Sequence, residues 1–255
     1  MFDFLMFVAV GFFAQLIDGA LGMGYGVISS VVLLATGVPP SHTSASVHAA
    51  KLFTTAASGA SHIIHGNVDR KMFLVLSAAG VLGGIAGALV LVNLTGTSVR
   101  PYVFGYLMIM GMVILWRGLI LPSNRSVPGN LVAPLGAAGG FLDAIGGGGW
   151  GPVVTSSLIG AGASPRFVVG TVNAAEFVVT CAIVSTFAAT LIFGTWKDAS
   201  ALGDHAGAVA GLVIGGLPAA AVAGWLLKIA PRKPLMIGVG LLVICLSAYE
   251  LLRLF

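Results

Sequence analysis

Long runs without a charged residue divide this chain into apolar segments. No Asp, Glu, Lys or Arg occurs from Met72 to Val99, from Phe177 to Trp196 or from His205 to Leu227. Each run is long enough for a membrane-spanning helix, which needs roughly 20 apolar residues. The pattern predicts an all-α polytopic membrane protein, multi-pass in a cell (inner) membrane and surrounded by the lipid bilayer.

The chain also repeats itself at a fixed offset of 125 residues. The stretch from Gly11 to Ala57 aligns without a gap with Gly136 to Ala182. The identical pairs are Gly11/Gly136, Asp18/Asp143, Gly22/Gly147, Gly24/Gly149, Gly26/Gly151, Gly37/Gly162, Pro40/Pro165, Val47/Val172, Ala49/Ala174, Ala50/Ala175, Thr55/Thr180 and Ala57/Ala182. Because the Asp, Pro and Thr pairs share one offset, composition alone is a poor explanation. We predict two homologous halves, residues 1–126 and 127–255, which meet in the polar run Ser123–Ser126.

Both halves show the same order of elements. The first predicts an apolar segment over 2–17, a break over 18–26, a short apolar piece to 36, a turn over 37–40 and helices over 42–65, 71–94 and 99–121. The second predicts a segment over 129–142, a break over 143–151, a piece over 152–161, a turn over 162–165 and helices over 166–193, 205–228 and 234–254. Glycine clusters and Pro-containing turns mark these breaks.

The pieces beside each break, roughly 10–16 residues long, are too short to span singly. They either combine into one span or form a re-entrant hairpin. If they cross, Lys and Arg divide 6 to 5 between the two sides; if both are hairpins, the division is 8 to 3, with Lys51 set aside as intramembrane. Positive residues concentrate on the cytoplasmic side. The charge split therefore favours hairpins, two inverted repeats with three spanning helices each, and both termini outside the cytoplasm.

Composition narrows the function further. Only 8% of the 255 residues are charged, against about 25% in an ordinary soluble domain. The net charge of +4 is not gathered into a basic cluster, so no nucleic-acid partner is expected. Cys181 and Cys245 lie in apolar segments and are expected to be buried thiols. The N-terminus lacks the positive region of a cleavable signal, so its first apolar segment is expected to remain.

The two glycine-rich breaks are the first candidate site. Non-helical backbone at membrane depth is tolerated where protein buries it or where it lines a wet cavity. Its free N–H groups at a helix N-terminus favour an anion. The candidate binding residues are Gly22, Gly24, Tyr25, Gly26, Gly147, Gly149, Trp150 and Gly151. The alternative is a glycine-rich contact between packed helices.

The helix after each break carries the second candidate site. Ser44, His48, Lys51, Thr55, Ser58 and His62 recur every three or four residues and form one polar stripe. Matching positions in the second half include Asn173, Glu176 and Thr180. Lys51 and Glu176 are thus repeat mates of opposite charge, and an ionisable residue inside a span usually marks a substrate or ion path. The alternatives are a structural ion pair between the halves, or a Lys51 that reaches an interface.

No His, Cys or carboxylate set has the spacing of a metal site, and no nucleophile motif stands out. We therefore expect no enzyme activity, no cofactor and no metal.

Several of these motifs resemble the TauE/SafE sulfite exporter family. The resemblance rests on the stretches 17–26, 37–40, 44–50, 65–69 and 146–152 and on the duplicated layout of nearly the whole chain. It implies a secondary transporter for sulfite or small organosulfonates, mainly an exporter, driven by an ion gradient.

The resulting hypothesis is an alternating-access carrier with its site at the midplane, between the two breaks. Backbone N–H groups of the breaks, with His48, Lys51 and Asn173, hold a small anionic sulfur-containing substrate. Glu176 is the candidate for H+ coupling, and Asp18 and Asp143 form a symmetry-related pair with a capping or coupling role. A homodimer is possible. The alternatives are a carrier for another small organic anion, a passive anion channel and a membrane scaffold without transport.

Overall fold

A computed structural model describes residues 2–94, 96–120, 129–196, 199–200 and 202–254, except the side chains of residue 2 and of 96–98. Within these ranges the regular structure is helical. The α-helices are α1 Phe2–Leu21, α2 Tyr25–Ala35, α3 Pro40–Ile64, α4 Arg70–Val92, α5 Gly96–Leu119, α6 Val132–Gly146, α7 Ser156–Gly160, α8 Pro165–Ile192, α9 Ala206–Ala221, α10 Ala223–Ile229 and α11 Arg232–Leu254. A π-helical turn over Gly151–Thr155 leads into α7. The predicted junction of the halves lies outside the described residues.

Five described helices are long and apolar enough to cross a membrane: α1, α4, α5, α8 and α11. The bent pair α9–α10 makes a sixth. The prediction for the first segment was too short, because α1 continues through Asp18 to Leu21 and reaches 20 residues. In contrast, α3 has 25 residues but is not apolar enough for this set, because it carries the polar stripe, which is buried against protein.

The predicted single helix over 205–228 is also wrong. It divides at Val222, where α9 and α10 meet at an angle of 62°. The bend brings Gly224 against α3: its N–H donates to Ser61 Oγ at 3.0 Å, and its carbonyl accepts from Asn67 Nδ2 at 3.2 Å. Pro218 lies four residues before Val222 and Gly224 two residues after it. Both residue types favour a kink in a helix, and the prediction of a single helix did not use them.

Each broken element packs on a helix of the other half. Along α1, Gly11 lies against Leu212 of α9 and Gly19 against Ala223 of α10, so α1 and the α9–α10 pair run parallel. Along α6, Gly136 lies against Leu76 and Gly140 against Gly80, so α6 and α4 also run parallel. In the repeat, α6 corresponds to α1 and α4 corresponds to α9. The contact of α1 with α9 is therefore repeated in the contact of α6 with α4. Small residues allow the close approach. The inverted relation of the halves stays a prediction.

The helix directions define two ends of the molecule. At the first end, Asp3 and Phe4 line a cavity of about 540 Å³ together with Gly37, Pro39 and His205. The chain therefore returns after α2 to the end where α1 begins. The end of α11 also lies here, since Glu250 contacts Arg100, which in turn donates to the Leu34 carbonyl.

The second end holds the turn between α3 and α4 and the turn before α8. Arg166 donates to the carbonyls of His65 and Gly66 at this end. The described Lys and Arg residues are concentrated here: Arg70, Lys71, Arg117, Arg166, Lys228, Arg232 and Lys233, against Arg100 and Arg253 at the first end. Arg125 and Lys197 lie outside the described residues.

The expectation of buried thiols is wrong for both cysteines. Cys181 is partly exposed and Cys245 is exposed. Both lie on helices that are long and apolar enough to cross a membrane, where an apolar face against lipid would accommodate a thiol as a small hydrophobic group.

Candidate functional site

The two breaks interrupt the helices at equivalent positions, after the aspartates rather than at them. Asp18 and Asp143 each lie in the last turn of a helix, because the Gly22 N–H donates to the Asp18 carbonyl and the Gly147 N–H to the Asp143 carbonyl, both at 2.6 Å. Gly22 and Gly147 then take positive φ values of 68° and 70°, a backbone conformation that glycine adopts without a side-chain clash. The predicted start of each break at its aspartate is thus corrected by about one turn.

Each aspartate side chain reaches forward and caps the half-helix beyond its break. Asp18 Oδ1 accepts from the Tyr25 N–H at 3.3 Å. Asp143 Oδ1 accepts from the Gly149 N–H at 2.9 Å and the Trp150 N–H at 3.2 Å. Part of the backbone N–H set that was predicted to bind an anion is therefore bonded to the protein's own carboxylates.

The breaks cross in direct backbone contact. A Cβ atom built on Gly26 would overlap the Gly147 carbonyl, and one built on Gly148 would overlap Val27 N. On the other side of the crossing, a Cβ on Gly151 would lie 2.5 Å from Met23 Cα. The Thr155 hydroxyl donates to the Gly22 carbonyl at 2.7 Å and ties the two breaks together. The alternative of a glycine-rich packing contact is therefore also realised here.

A buried charged cluster lies beside this crossing. Lys51 Nζ is 2.7 Å from Asp143 Oδ2 and 2.7 Å from Glu176 Oε1. All three side chains are nearly inaccessible to solvent. Lys51 of the first half thus bridges Asp143 of α6 and Glu176 of α8, both in the second half. This is the structural ion pair between the halves that the sequence analysis gave as an alternative. Asp18 faces the same small space between the breaks.

His48 extends the cluster by one turn of α3. Its Nε2 lies 3.1 Å from Asp143 Oδ2, and its Nδ1 lies 2.8 Å from the Ser44 carbonyl. Each ring nitrogen of His48 therefore lies within hydrogen-bond distance of an oxygen acceptor. The Ser44 hydroxyl donates to the Ala144 carbonyl of the second half. Three carboxyl groups and two basic side chains therefore meet in one buried volume.

The space at the centre of this cluster is closed. It is lined by Asp18, Gly24, Gly26, Val27, Lys51, Asp143, Gly148, Gly151, Pro152 and Glu176, and it is too small for a water molecule. Any anion that uses this place must first separate the breaks or displace a carboxylate from Lys51.

The remaining predicted residues are near the crossing, but their side chains point into the scaffold. The Tyr25 hydroxyl donates to the Leu212 carbonyl at 3.3 Å, and Trp150 Nε1 donates to the Val172 carbonyl at 3.0 Å. Asn173 Oδ1 accepts from the Ser58 hydroxyl at 2.9 Å. These three side chains hold the half-helices and α8 in position, and none of them lines the closed space.

Two polar residues near the site were not found from the sequence. Tyr106 of α5 lies against Gly146 and Gly149, and its hydroxyl is buried without a hydrogen-bond partner among the described residues. Gln15 of α1 is fully buried, and its amide likewise has no described partner. Neither falls in a repeat motif, because Tyr106 is on a helix outside the aligned stretch and the mate of Gln15 is Gly140. In the sequence, each appears only as a polar residue within an apolar helix, without a polar residue at the matching position of the other half.

Comparison with known proteins agrees with the membrane architecture. Residues 7–250 match the family model described as "Sulfite exporter TauE/SafE". The chain is 41% identical over 260 residues, 98% of its length and 83% of the relative's, to the "Probable membrane transporter protein YtnM" of Bacillus subtilis (strain 168). It is 28% identical over 118 residues, 45% of its length and 28% of the relative's, to the "Sulfite exporter TauE/SafE family protein 6" of Arabidopsis thaliana. No solved structure matches. The chain therefore belongs to the TauE/SafE sulfite exporter family of membrane transporter proteins.

Proposed function

We propose that this chain is a secondary active exporter of sulfite or a small organosulfonate, coupled to H+, with its transport site at the crossing of the two breaks. The observation that carries the proposal is the bridge from Lys51 to Asp143 and Glu176 beside that crossing. A buried cation at membrane depth is costly and is retained where an ion or substrate passes. The names of the family and of its plant member supply the class of anion.

Charge balance gives the coupling. In the closed state, Lys51 is neutralised by two carboxylates, so it offers no net positive charge to an anion. If Glu176 takes up a proton, its neutral carboxyl group no longer forms an ion pair with Lys51. A substrate oxyanion can then pair with Lys51 in place of the Glu176 carboxylate, and the net charge of the low-dielectric site stays the same. Anion and proton then travel together, so net export takes place while the outward gradient of the anion exceeds the inward gradient of protons.

Alternating access follows from the same contacts. The half-helices α2 and α7 leave the crossing toward opposite ends of the molecule. Separation of one break from its neighbours would open the closed space toward one end, while the other break keeps it sealed. Broken helices that meet near the midplane support such motions in many secondary transporters.

The distribution of positive charge supports an orientation. With the second end in the cytoplasm, seven described Lys and Arg residues are cytoplasmic and two are not. The first end, with both termini, would then face outward from a cell (inner) membrane.

Uptake into proteoliposomes tests the proposal. Purified protein is reconstituted with internal and external pH set independently and the membrane potential clamped with valinomycin and K+. Radiolabelled sulfite should accumulate above its external concentration only when the pH gradient drives protons in the same direction as the anion. Organosulfonates and small carboxylates are compared as competitors. Equilibration without accumulation identifies a passive channel, and preferential competition by carboxylates identifies a carrier for another organic anion.

A further inference from the structure

A second cavity lies at the second end, away from the crossing. It has a volume of about 340 Å³ and is bounded by α5, α7 and the start of α11. Its lining is Met23, Arg117, Gly118, Leu119, Ile120, Ser156, Ile159, Gly160, Pro165, Arg232, Lys233 and Met236. The wall is mostly apolar, three of its members are cationic, and none is acidic.

The three cations have no described carboxylate as a partner. Arg117 packs its guanidinium on Gly160 and lies 4.5 Å from the centre of the Trp116 ring, and its Nε is buried without a hydrogen-bond partner. Arg232 makes one long bond of 3.4 Å to the Leu227 carbonyl. Most donors of the two guanidinium groups therefore have no acceptor among the residues that the structure describes.

The opposite end of the α5–α11 helix pair is arranged differently. There, Glu250 of α11 lies 3.8 Å from Arg100 of α5 and 3.3 Å from Arg253. One carboxylate thus balances the cations where α5 and α11 meet at the first end, and no described carboxylate does so at the second. An unbalanced group of cations around a concave apolar wall selects an anion.

The inner end of the cavity reaches the first break. Met23 lines the cavity, and Met23 is also the residue against which Gly151 of the second break packs. Ser156 Oγ lies 3.7 Å from Met23 Sδ and joins the cavity wall to the same residue. A ligand in the cavity therefore lies one residue from Gly22 and Gly24, where the breaks cross.

We propose that this cavity binds an organic anion with a sulfonate-like or phosphate-like head and an apolar tail, held by Arg117, Arg232 and Lys233 before it passes to the crossing. The volume falls at the lower end of the range for small-molecule sites, roughly 300–1,000 Å³, and the apolar wall gives a tail a place that bare sulfite does not use. The inference rests on the proposed function for the class of ligand. The same head-group chemistry occurs in a soluble organosulfonate and in an anionic lipid.

Binding of hexane-1-sulfonate to the full chain tests the site without any gradient. The protein is placed in nanodiscs of phosphatidylcholine, and binding is measured by calorimetry. Arg117→Gln and Arg232→Gln should each weaken binding by roughly tenfold or more, because each removes a charge-assisted contact. Lys71→Gln, which removes an exposed cation at the same end outside the cavity, is the matched control and should bind like wild type. Arg117→Lys should retain part of the affinity.

The lipid arm uses nanodiscs that contain phosphatidylglycerol. If phosphatidylglycerol occupies the same site, wild type should bind hexane-1-sulfonate more weakly in those discs than in phosphatidylcholine. Arg232→Gln should then bind it with the same affinity in both kinds of disc. Equal affinity of Arg117→Gln, Arg232→Gln and wild type, or no binding by wild type in either disc, overturns the inference. Lys233 is exposed, so Lys233→Gln provides the comparison if an arginine variant does not fold. Failure here leaves the crossing site untouched, since sulfite accumulation is measured separately.

Discussion

Replacement of Lys51 by Met should destabilise the protein strongly and in a way that a second substitution reverses. Among the described residues, Glu176 forms its ion pair with Lys51. Asp143 contacts Lys51 as well, but it also contacts His48 and two backbone N–H groups. Within the described part of the chain, Asp143 therefore keeps three contacts in Lys51→Met and Glu176 keeps none. Removal of one partner of a buried ion pair costs roughly 3–5 kcal/mol.

For a chain of this size, each kcal/mol corresponds to a shift in Tm of roughly 2–4 °C. Lys51→Met should thus lower Tm by roughly 6–20 °C. The double variant Lys51→Met/Glu176→Leu removes both the Lys51 ammonium and the Glu176 carboxylate that would otherwise be left unpaired. Replacement of a buried ion pair by apolar groups is often neutral or stabilising. The double variant should recover most of the lost stability while remaining inactive, because Lys51, the cation proposed to receive the substrate oxyanion, is gone.

The assay is thermal unfolding in detergent, followed by loss of the monodisperse peak on size-exclusion chromatography. Lys71→Met is the control, since Lys71 is exposed at a helix start and its loss should shift Tm very little. A Lys51→Met protein with the Tm of wild type would refute the buried bridge. A double variant less stable than Lys51→Met would refute the assignment of the deficit to Glu176.

Three further expectations follow from the site and the topology. Glu176→Gln should keep substrate counterflow but lose pH-driven accumulation, because the amide cannot exchange a proton; accumulation equal to wild type in proteoliposomes would contradict the coupling role. Gly148→Ala should cost roughly 1–3 kcal/mol through overpacking on Val27 and reduce transport, whereas Gly105→Ala, which has open space around it, should be silent in the same unfolding and uptake assays. Single cysteines at Thr36 and Ser164, both exposed, should label with an impermeant maleimide from opposite sides of the membrane in a background without native cysteines, and labelling of both from one side would exclude two re-entrant hairpins.

The breaks themselves were predictable because glycine is costly inside a helix and because both breaks recur at one offset. The repeat alone predicts Gly22, Gly147 and the half-helices beyond them. It could not give the last helical turn through Asp18 and Asp143, since aspartate is compatible with either a helix end or a break. The forward reach of each carboxylate to the next half-helix then decides the local structure.

The partner of Lys51 was only half predictable. Alignment of the halves paired it with Glu176 by charge, but alignment says nothing about which helices cross. Asp143 joins Lys51 because α6 and α3 come together in space, a tertiary fact without a local signal. The bend at Val222 differs, since Pro218 and Gly224 on either side of it are local kink signals, while the hydrogen bonds of Gly224 with Ser61 and Asn67 hold it against α3.

The pairing of helices between the halves also has a consequence for biosynthesis. Gly11 of α1 lies against Leu212, which the ribosome adds 201 residues later, whereas Gly140 of α6 lies against Gly80, which was made 60 residues before it. The second hairpin thus meets its completed partner as soon as it enters the bilayer, but the first must wait for almost the whole chain. Until α9 arrives, the small-residue face of α1 has only lipid or the insertion machinery against it. Arrest of translation before α9 should therefore leave α1 without its principal partner.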